Sequence, residues 1–271
     1  MPRVDAVQTS VRTAERLEST EHTPESLRPW LTELGRIPLV RDLSEPFAHI
    51  PHTATTIVLR TEEAGRREAL VLGPRTKATY SAAKEPASCV RLRLAPGATH
   101  AMLGVAASEL TDRAVRLADL PGPASELAQA LAGLPNDDIL AFLEDELPQR
   151  LSEDATQRAH RDLLAKAAVA LAEPAGRPIP ALAADLAVSE RQLRNLFSAG
   201  IGLSPKHFAR IGRVRQVIAH AGSTPWSRIA ADNGYYDQSH LTADFRTLMG
   251  VPPGKFFRGH LPAATPCRVT A

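Results

Sequence analysis

Two short segments carry polar side chains suited to hydrogen bonding with flat ring edges or with anionic groups. They are Arg191, Arg194 and Asn195 in the first segment, and Gln238, Ser239, Thr242 and Arg246 in the second. A guanidinium or a side-chain amide can form two parallel hydrogen bonds with the edge of one nucleic-acid base, and a guanidinium can also pair with a phosphate. Such side chains distinguish one base from another only when a rigid element holds them in place.

An internal repeat supplies a candidate for that rigid element. The sequence Leu-Ala-Ala-Asp at 182–185 recurs as Ile-Ala-Ala-Asp at 229–232, and Phe197, after the first copy, is matched by Phe245 after the second. Two copies are too few for a solenoid. They predict a duplicated supersecondary unit made of a short helix, a turn and a second helix. In a helix-turn-helix, the second helix enters the major groove and contacts base edges.

The second helix of each unit has a recognisable start. Ser189 and Gln192 form the pattern of a capping box, in which each side chain accepts a hydrogen bond from the backbone N–H of the other residue. In the second copy, Asn233-Gly234 predicts a turn that tolerates positive φ, and Asp237 predicts an N-cap. Apolar residues at helical spacing leave the seven polar residues named above on the outward faces.

The segment between the two units predicts one long helix. Ser204 is a favourable N-cap and Pro205 suits the first helical position. Phe208, Ile211 and Val214 then recur at helical spacing. A rigid connecting helix would hold the two recognition helices at a fixed separation. Helices about 34 Å apart would enter successive major grooves on one face of a DNA duplex.

Together these residues resemble the DNA-binding domain of AraC/XylS-type transcription regulators, over residues 178–258. The matching pieces are 182–184, 189–197, 202–205, Arg210-x-x-Arg213, 229–231, Gly234-Tyr235 and 241–253. The resemblance implies a seven-helix domain that binds double-stranded DNA through two of its helices. The chain departs from the family pattern at Ala243, where many members carry a basic residue, and this departure weakens the expected second contact. Tyr235 and Leu241 also replace the commoner aromatic residues, and we interpret both as core substitutions.

The distribution of charge agrees with a DNA-binding carboxyl-terminal part. Residues 178–262 contain ten basic and five acidic side chains, whereas residues 1–177 contain 21 basic and 25 acidic side chains. A basic module beside an acidic one is typical of nucleic-acid-binding proteins. The alternative is ordinary surface charge without a function in binding.

The amino-terminal part has the pattern of short strands. Apolar and β-branched residues occur at 55–59, 69–72 and 89–94, separated by Gly and Pro and by a turn predicted at Gly65. Frequent short strands predict a small antiparallel barrel. Residues 27–125 also resemble a cupin-like amino-terminal domain of AraC-type regulators from actinobacteria, and that resemblance implies no particular ligand.

Two helices are predicted after the strands. The first begins at Asn136-Asp137-Asp138 and ends at Pro148, and the second runs over 154–173. The predicted fold class is therefore α+β: a small antiparallel, cupin-like β-barrel sensor domain followed by an all-α domain with two helix-turn-helix units. The predicted divisions are a flexible arm (1–26), a sensor and dimerisation domain (27–173), a linker (174–180), a DNA-binding domain (181–262) and a tail (263–271).

Other chemistry has less support in the sequence. His49, His52 and His100 suggest a metal site, but their spacing is unusual and no carboxylate accompanies them, so we expect structural histidines, no metal and no cofactor. No phosphate-binding loop or nucleophile elbow occurs, and no enzymatic activity is expected. Cys89 and Cys267 are too few for a disulfide framework. No segment has the length and apolarity of a membrane span or a secretory signal, so we expect a cytoplasmic protein associated with the nucleoid.

Two functional hypotheses follow. The first is a transcription regulator that binds DNA and responds through its amino-terminal domain to a small molecule or another signal. It would act as a homodimer, joined through the two Leu- and Ala-rich helices, and would contact RNA polymerase if it is an activator. The alternative is a small-molecule sensing protein with a degenerate DNA-binding module. Outward-facing Arg191, Arg194 and Arg246 favour the first hypothesis, because decay should remove polar contact residues before core residues.

Overall fold

The computed structural model describes residues 11–42, 44–82, 85–151, 153–173, 176–221 and 224–266, without the side chains of Pro123 and Pro266. Three sequence predictions concern residues outside these ranges. They are the first ten residues of the arm, Pro174 of the linker, and Cys267 in the tail, and they stay predictions.

Strands dominate the amino-terminal half of the chain. They are β1 (Arg12–Thr13), β2 (Ser19–Glu21), β3 (Leu31–Val40), β4 (Phe47–His49), β5 (Thr56–Glu62), β6 (Arg67–Leu72), β7 (Thr79–Ala82), β8 (Ala87–Leu94) and β9 (Ala114–Arg116). Short helices interrupt them at α1 (Ala14–Leu17), α2 (Thr99–Leu103) and α3 (Ala107–Leu110). The strands predicted from alternation and β-branching correspond to β5, β6 and β8.

The larger sheet is antiparallel, with the strand order β2-β3-β8-β5-β6-β9. Apolar side chains on one of its faces, such as Ile57 and Leu92, are completely buried. They form one core with Leu103 of α2 and with residues of the helices that follow the sheet. Burial of apolar area of this kind is the main stabilising term in such a sheet–helix layer.

A smaller sheet lies between the larger sheet and the helical part. Strands β4 and β7 pair antiparallel, β1 joins β4 in parallel, and β10 (Thr265–Pro266), near the end of the chain, joins β7 in parallel. The predicted α+β fold class is confirmed: sheets of mainly antiparallel strands are followed by a helical part with two helix-turn-helix units. Within the described residues, the strands are divided between these two sheets.

Residues 11–26 are part of the fold and contradict the prediction of a flexible arm over this segment. Val11 and Thr13 are buried, and the Glu18 side chain is only 2% exposed. Glu18 forms ion pairs with Arg91 and Arg93 on β8. The polar composition suggested disorder, but the Glu18 carboxylate is paired with residues more than 70 positions away, which composition cannot reveal.

The carboxyl-terminal half is helical. Its helices are α4 (Pro123–Gly133), α5 (Ile139–Arg150), α6 (Ala155–Ala172), α7 (Ile179–Asp185), α8 (Glu190–Ile201), α9 (Pro205–His220), α10 (Trp226–Asp232), α11 (Gln238–Met249) and α12 (Pro253–Phe256). Pro148 lies inside α5, so the prediction that it ends the helix is wrong by two residues. Proline lacks its own N–H and so removes one hydrogen bond, to the carbonyl four residues earlier, and α5 ends two residues beyond it.

The two helices before the predicted linker pack on different parts of the molecule. Leu143 and Leu147 of α5 belong to the core of the large sheet. Leu164 and Leu171 of α6 belong to the core of the helical part instead. The apolar faces that motivated the prediction of a dimer are therefore covered within the chain. No helix in the described ranges is both long and apolar enough to span a membrane.

Candidate nucleic-acid interface

Both predicted helix-turn-helix units are present, as α7–α8 and α10–α11, and α9 connects them. The backbone N–H of Gln192 donates to Ser189 Oγ at 3.1 Å, and that of His240 donates to Asp237 Oδ1 at 2.7 Å. Ser204 caps α9 in the same way, accepting from His207 N–H at 3.2 Å. The three predicted N-caps are confirmed, and each holds an otherwise unpaired amide at the start of its helix.

The turns of the two units share one backbone conformation. Gly234 has φ of 69°, as predicted for the Asn-Gly turn. Ala187, 47 residues earlier, has φ of 53° in the equivalent turn. A side chain with a Cβ is disfavoured in this left-handed region, so the first turn carries a strain of about 1 kcal/mol that the second turn avoids.

The interiors of the two units are equivalent. Leu193 and Phe197 in the first unit, and Leu241 and Phe245 in the second, are fully buried. These residues fix the rotation of α8 and α11 about their axes, because turning either helix would expose an aromatic ring to water. The opposite faces are consequently held toward solvent.

The predicted contact residues lie mostly on those solvent faces. Six of the seven are exposed, namely Arg191, Arg194, Asn195, Gln238, Ser239 and Arg246. Thr242 is half-buried, and its hydroxyl donates to Gln238 O at 2.8 Å. Arg194 forms an ion pair at 2.6 Å with Glu190, one helical turn earlier. That pair is exposed, so a phosphate or a guanine can replace Glu190 at little cost.

Two further exposed residues, near α11, were not identified from the sequence. Helices α8 and α11 are called the first and second recognition helix below. Tyr236 lies in the turn before α11 and is 94% exposed. His240 is exposed on the first turn of α11. The adjacent Tyr235 is buried, with Arg213 stacked over its ring at 5.3 Å. Two consecutive tyrosines give no sequence signal of which one points inward.

Some of the basic residues are used inside the protein. Asp244 is buried on α11 and binds Arg210 of α9 at 2.7 Å, with Arg213 at 3.6 Å. This cluster joins the second recognition helix to the connecting helix. Arg215, also on α9, donates to Pro51 O at 3.1 Å. The excess of positive charge in the sequence therefore overstates the charge available to a nucleic acid.

The amino-terminal domain holds the carboxyl-terminal end of α11. Tyr80 Oη donates to Met249 O at 2.6 Å, and Ala78 N–H donates to Leu248 O at 2.7 Å. The last carbonyl groups of a helix have no partner within it, so they require donors from outside. Here β7 and the residue before it supply those donors.

The amino-terminal domain also holds the end of α8. Gly97 N–H donates to Gly200 O at 3.1 Å, and the Thr111 hydroxyl donates to Gly202 O at 2.8 Å. A Cβ on Gly200 would lie 2.4 Å from the Leu164 side chain and 3.2 Å from Gly97 Cα. A larger residue at position 200 would therefore require the Leu164 side chain to move. The amino-terminal domain thus contacts both recognition helices at the ends opposite their N-caps.

The histidines proposed as possible metal ligands make ordinary hydrogen bonds. His49 Nε2 lies 2.7 Å from Ser81 Oγ, and His52 Nδ1 lies 2.8 Å from Ala54 O. No cluster of His, Cys, Asp or Glu in the described parts of the chain has the arrangement of a metal site. Burial, with a contribution from the charge of Arg75, lowers the pKa of His49 to about 4.

This shift predicts a loss of stability in mild acid. Below pH about 6.5 the unfolded chain protonates His49, whereas the folded chain does so only near pH 4, so the free energy of unfolding should fall between these values. We expect the His49→Gln variant to lose less stability over that range in chemical denaturation. The control is His160→Gln on the exposed face of α6. Equal pH dependence in the His49 variant and the unmodified protein would contradict the prediction.

Comparison with known proteins agrees with this geometry. A family model described as a helix-turn-helix domain matches residues 182–259. The chain is similar to the carboxyl-terminal domain of AraT, a response regulator from Geobacillus stearothermophilus, with 20% identity over 39% of this chain and 88% of that one, and a TM-score of 0.34. It is also similar to the apo K231A form of ToxT from Vibrio cholerae, with 12% identity over 83% and 96% of the chains and a TM-score of 0.43.

A third similarity is to the DNA-binding domain of AdpA, described as a global transcriptional factor, in complex with a target DNA. The identity is 21% over 38% of this chain and 92% of that one, with a TM-score of 0.33. No curated protein sequence matches the chain significantly. Two capped recognition helices with buried inner faces, together with the family match over 182–259, identify this part of the chain as a helix-turn-helix domain.

Proposed function

We propose that the protein is a sequence-specific transcription regulator that responds to a signal through its amino-terminal domain. The observation that carries this proposal is the orientation of α8 and α11. Their amino-terminal turns present polar side chains to solvent, while their carboxyl-terminal ends are bound to the sensor domain. A change in the sensor domain would therefore alter the relative positions of the two recognition helices.

The first recognition helix would supply most of the base contacts. Arg191 and Arg194 can each bind a guanine through two hydrogen bonds, and Asn195 can bind an adenine in the same way. Connecting helix α9 has 16 residues and is therefore about 24 Å long. A helix of that length can place the two recognition helices in neighbouring segments of the major groove.

The second recognition helix would serve more as an anchor. Gln238 and Ser239 are shorter than arginine, Arg246 is the basic residue of this face, and Ala243 adds no charge. Such contacts position a protein on the phosphate backbone more than they specify sequence. Exposed Tyr236 is well placed to add a phosphate hydrogen bond or a contact with a thymine methyl group.

Other parts of the proposal concern assembly. A homodimer would double the number of DNA contacts, and an activator would also contact RNA polymerase. Because the inner faces of α5 and α6 are buried within the chain, a dimer must use another surface. Light scattering of the full chain with and without DNA measures this directly. We propose no enzymatic activity and no cofactor.

In vitro selection from a library of random duplexes tests the proposed DNA binding. We expect enrichment of one sequence motif, with binding that weakens steeply as salt is raised. A variant with Arg191, Arg194 and Asn195 all replaced by alanine should enrich no motif. Failure of the unmodified protein to enrich a motif, in the presence of intact structure, would favour the alternative of a sensing protein with a degenerate DNA-binding module.

A further inference from the structure

A cavity of about 150 Å³ lies between the amino-terminal domain and the helical part of the chain. Leu94, the last residue of β8, and the adjacent Ala95 line it from one side. Ile201 of α8 and Phe208 of α9 line it from the other. All four residues are buried, so the cavity reaches into the domain interface and does not lie on the outer surface.

The wall of this cavity favours an uncharged, apolar molecule. No charged residue is among the lining residues that the structure describes. Two buried hydroxyls of the wall pair with each other, because Thr99 Oγ1 donates to Thr55 Oγ1 at 3.2 Å. A charged ligand would lose its hydration here without gaining an ion-pair partner, whereas a hydrocarbon would gain by leaving water.

The size of the cavity limits the molecule to roughly one aromatic ring. An apolar cavity of about 150 Å³ stays free of water and can hold one benzene molecule. Spaces larger than a water molecule are few in well-packed proteins, because the atoms around an unfilled space lose contacts. A ligand of matching size would restore those contacts.

The interface beside the cavity is closely packed. Gly97 N–H donates to Gly200 O at 3.1 Å, and a Cβ on Gly200 would lie 2.4 Å from the Leu164 side chain. Gly200 also lines the cavity. The two domains are therefore in backbone contact at one wall, and the space is a local feature of a tight interface.

Two of the lining residues connect the cavity to the first helix-turn-helix unit. Ile201 is the last residue of α8. The Phe208 ring packs edge-to-face on Phe197, with ring centroids 5.7 Å apart, and Phe197 is the fully buried aromatic residue of α8. A molecule in the cavity would thus touch both the end of the first recognition helix and the ring that supports its inner face.

We propose that this cavity binds a small, neutral, apolar molecule of about the size of benzene or toluene. The molecule would fill the space between Leu94 and Ala95 on one side and Ile201 and Phe208 on the other. Binding would add contacts across the domain interface and would therefore resist movement of α8 relative to the amino-terminal domain. The binding itself does not depend on the proposed DNA-binding function, whereas a role as an effector site rests on it.

Calorimetric titration of the full chain with benzene, toluene and benzoate tests the proposal. We expect saturable binding of at least one of the two hydrocarbons, and none of benzoate, which has the same ring and a charge. Ala95→Leu adds three carbon atoms at the wall and should weaken binding at least about tenfold, because the side chain and the ligand compete for the same space. Ala165→Leu, at an exposed position of α6, adds the same volume outside the cavity and should leave the affinity unchanged.

Methyl NMR of the full chain locates the bound molecule without a cavity variant. With the isoleucine methyl groups labelled, benzene should shift the Ile201 signal most, and Ile201→Val identifies that signal by its absence. Circular dichroism verifies that Ala95→Leu folds.

Four outcomes would overturn the proposal. They are no saturable binding of either hydrocarbon, benzoate binding of equal or higher affinity, unchanged affinity in folded Ala95→Leu, and a largest shift at an isoleucine remote from the cavity. Failure of the duplex selection would count against DNA binding and would leave the results of the titration and the NMR unaffected.

Discussion

Replacement of Arg194 by alanine is expected to lower the preference for the selected duplex over scrambled DNA by about tenfold or more, the low end of the ~1–3 kcal/mol that one bidentate base contact contributes. Arg194 is 60% exposed on α8, and its only described ion-pair partner is Glu190, whose side chain is 40% exposed. Exchange of that partner for a guanine costs little, so most of the contact energy should contribute to discrimination. Competition binding at fixed salt measures the ratio.

Gln238→Ala is the matched comparison, because Gln238 is also exposed and lies on the second recognition helix. It should lose less of the preference, since a neutral amide near Ala243 releases no counterions and contributes weaker contacts. A second comparison is Glu190→Gln, which removes the internal partner of Arg194 and should strengthen binding to all duplexes. The proposal that α8 contributes more to base specificity than α11 is wrong if Gln238→Ala abolishes discrimination while Arg194→Ala weakens binding to both duplexes equally.

Replacement of Asp244 by alanine is expected to lower the free energy of unfolding by about 2 kcal/mol. Removing one partner of a fully buried ion pair typically costs ~3–5 kcal/mol, and we take a lower value because the Arg210 and Arg213 side chains are about a quarter exposed. The loss arises from two guanidinium groups left without their carboxylate. Chemical denaturation at pH 7 measures the difference.

Asp232→Ala provides the matched control. Asp232 also pairs with an arginine, Arg228, but at 3.7 Å and with both side chains more than 60% exposed. Exposed pairs of this kind contribute ~0–1 kcal/mol. In the Asp244→Ala background, Arg210→Met should restore part of the stability by removing a charge that has lost its partner. If Asp244→Ala lowers the free energy of unfolding no more than Asp232→Ala does, the Asp244 cluster does not stabilise the junction of α9 and α11.

The Arg194 and Asp244 substitutions also distinguish a residue that contacts DNA bases from one that positions a recognition helix. Arg194 acts at the surface, so its loss should change discrimination without changing stability. Asp244 lies on the buried face of α11, the second recognition helix, so its loss should weaken binding to every duplex as the orientation of α11 becomes less defined. Salt dependence of binding would distinguish them further, because Asp244→Ala removes no phosphate contact.

Local features of the carboxyl-terminal part were predictable from the sequence because each depends on neighbouring residues. Ser189, Ser204 and Asp237 cap helices through amides three residues away, and Gly234 sets the backbone of its turn. Helical spacing identified the buried face of each recognition helix, and hence the outward residues. Whether those outward residues bind DNA remains a proposal.

Features that depend on distant residues were decided only by the tertiary structure. The segment around Glu18 is polar and was therefore predicted to be disordered. In the structure Glu18 pairs with Arg91 and Arg93 of β8, which are distant in the sequence. The inner face of α6 is as apolar as that of α5, yet it packs on the helical domain and not on the large sheet. Helical spacing of apolar residues predicts that one face of a helix is buried, but it does not indicate which element covers that face.

The use of each arginine was likewise undetermined by the sequence. Arg194 and Arg210 are both arginines on predicted helices, and the sequence does not distinguish their roles. In the structure Arg194 is exposed, whereas Arg210 binds the buried Asp244. The cavity beside Phe208 exists only because residues distant in the sequence meet at the domain interface. The sequence by itself determined the two helix-turn-helix units, since their signals are local. Tertiary packing decided which charges are free and where the domains meet, because those outcomes depend on long-range burial and pairing.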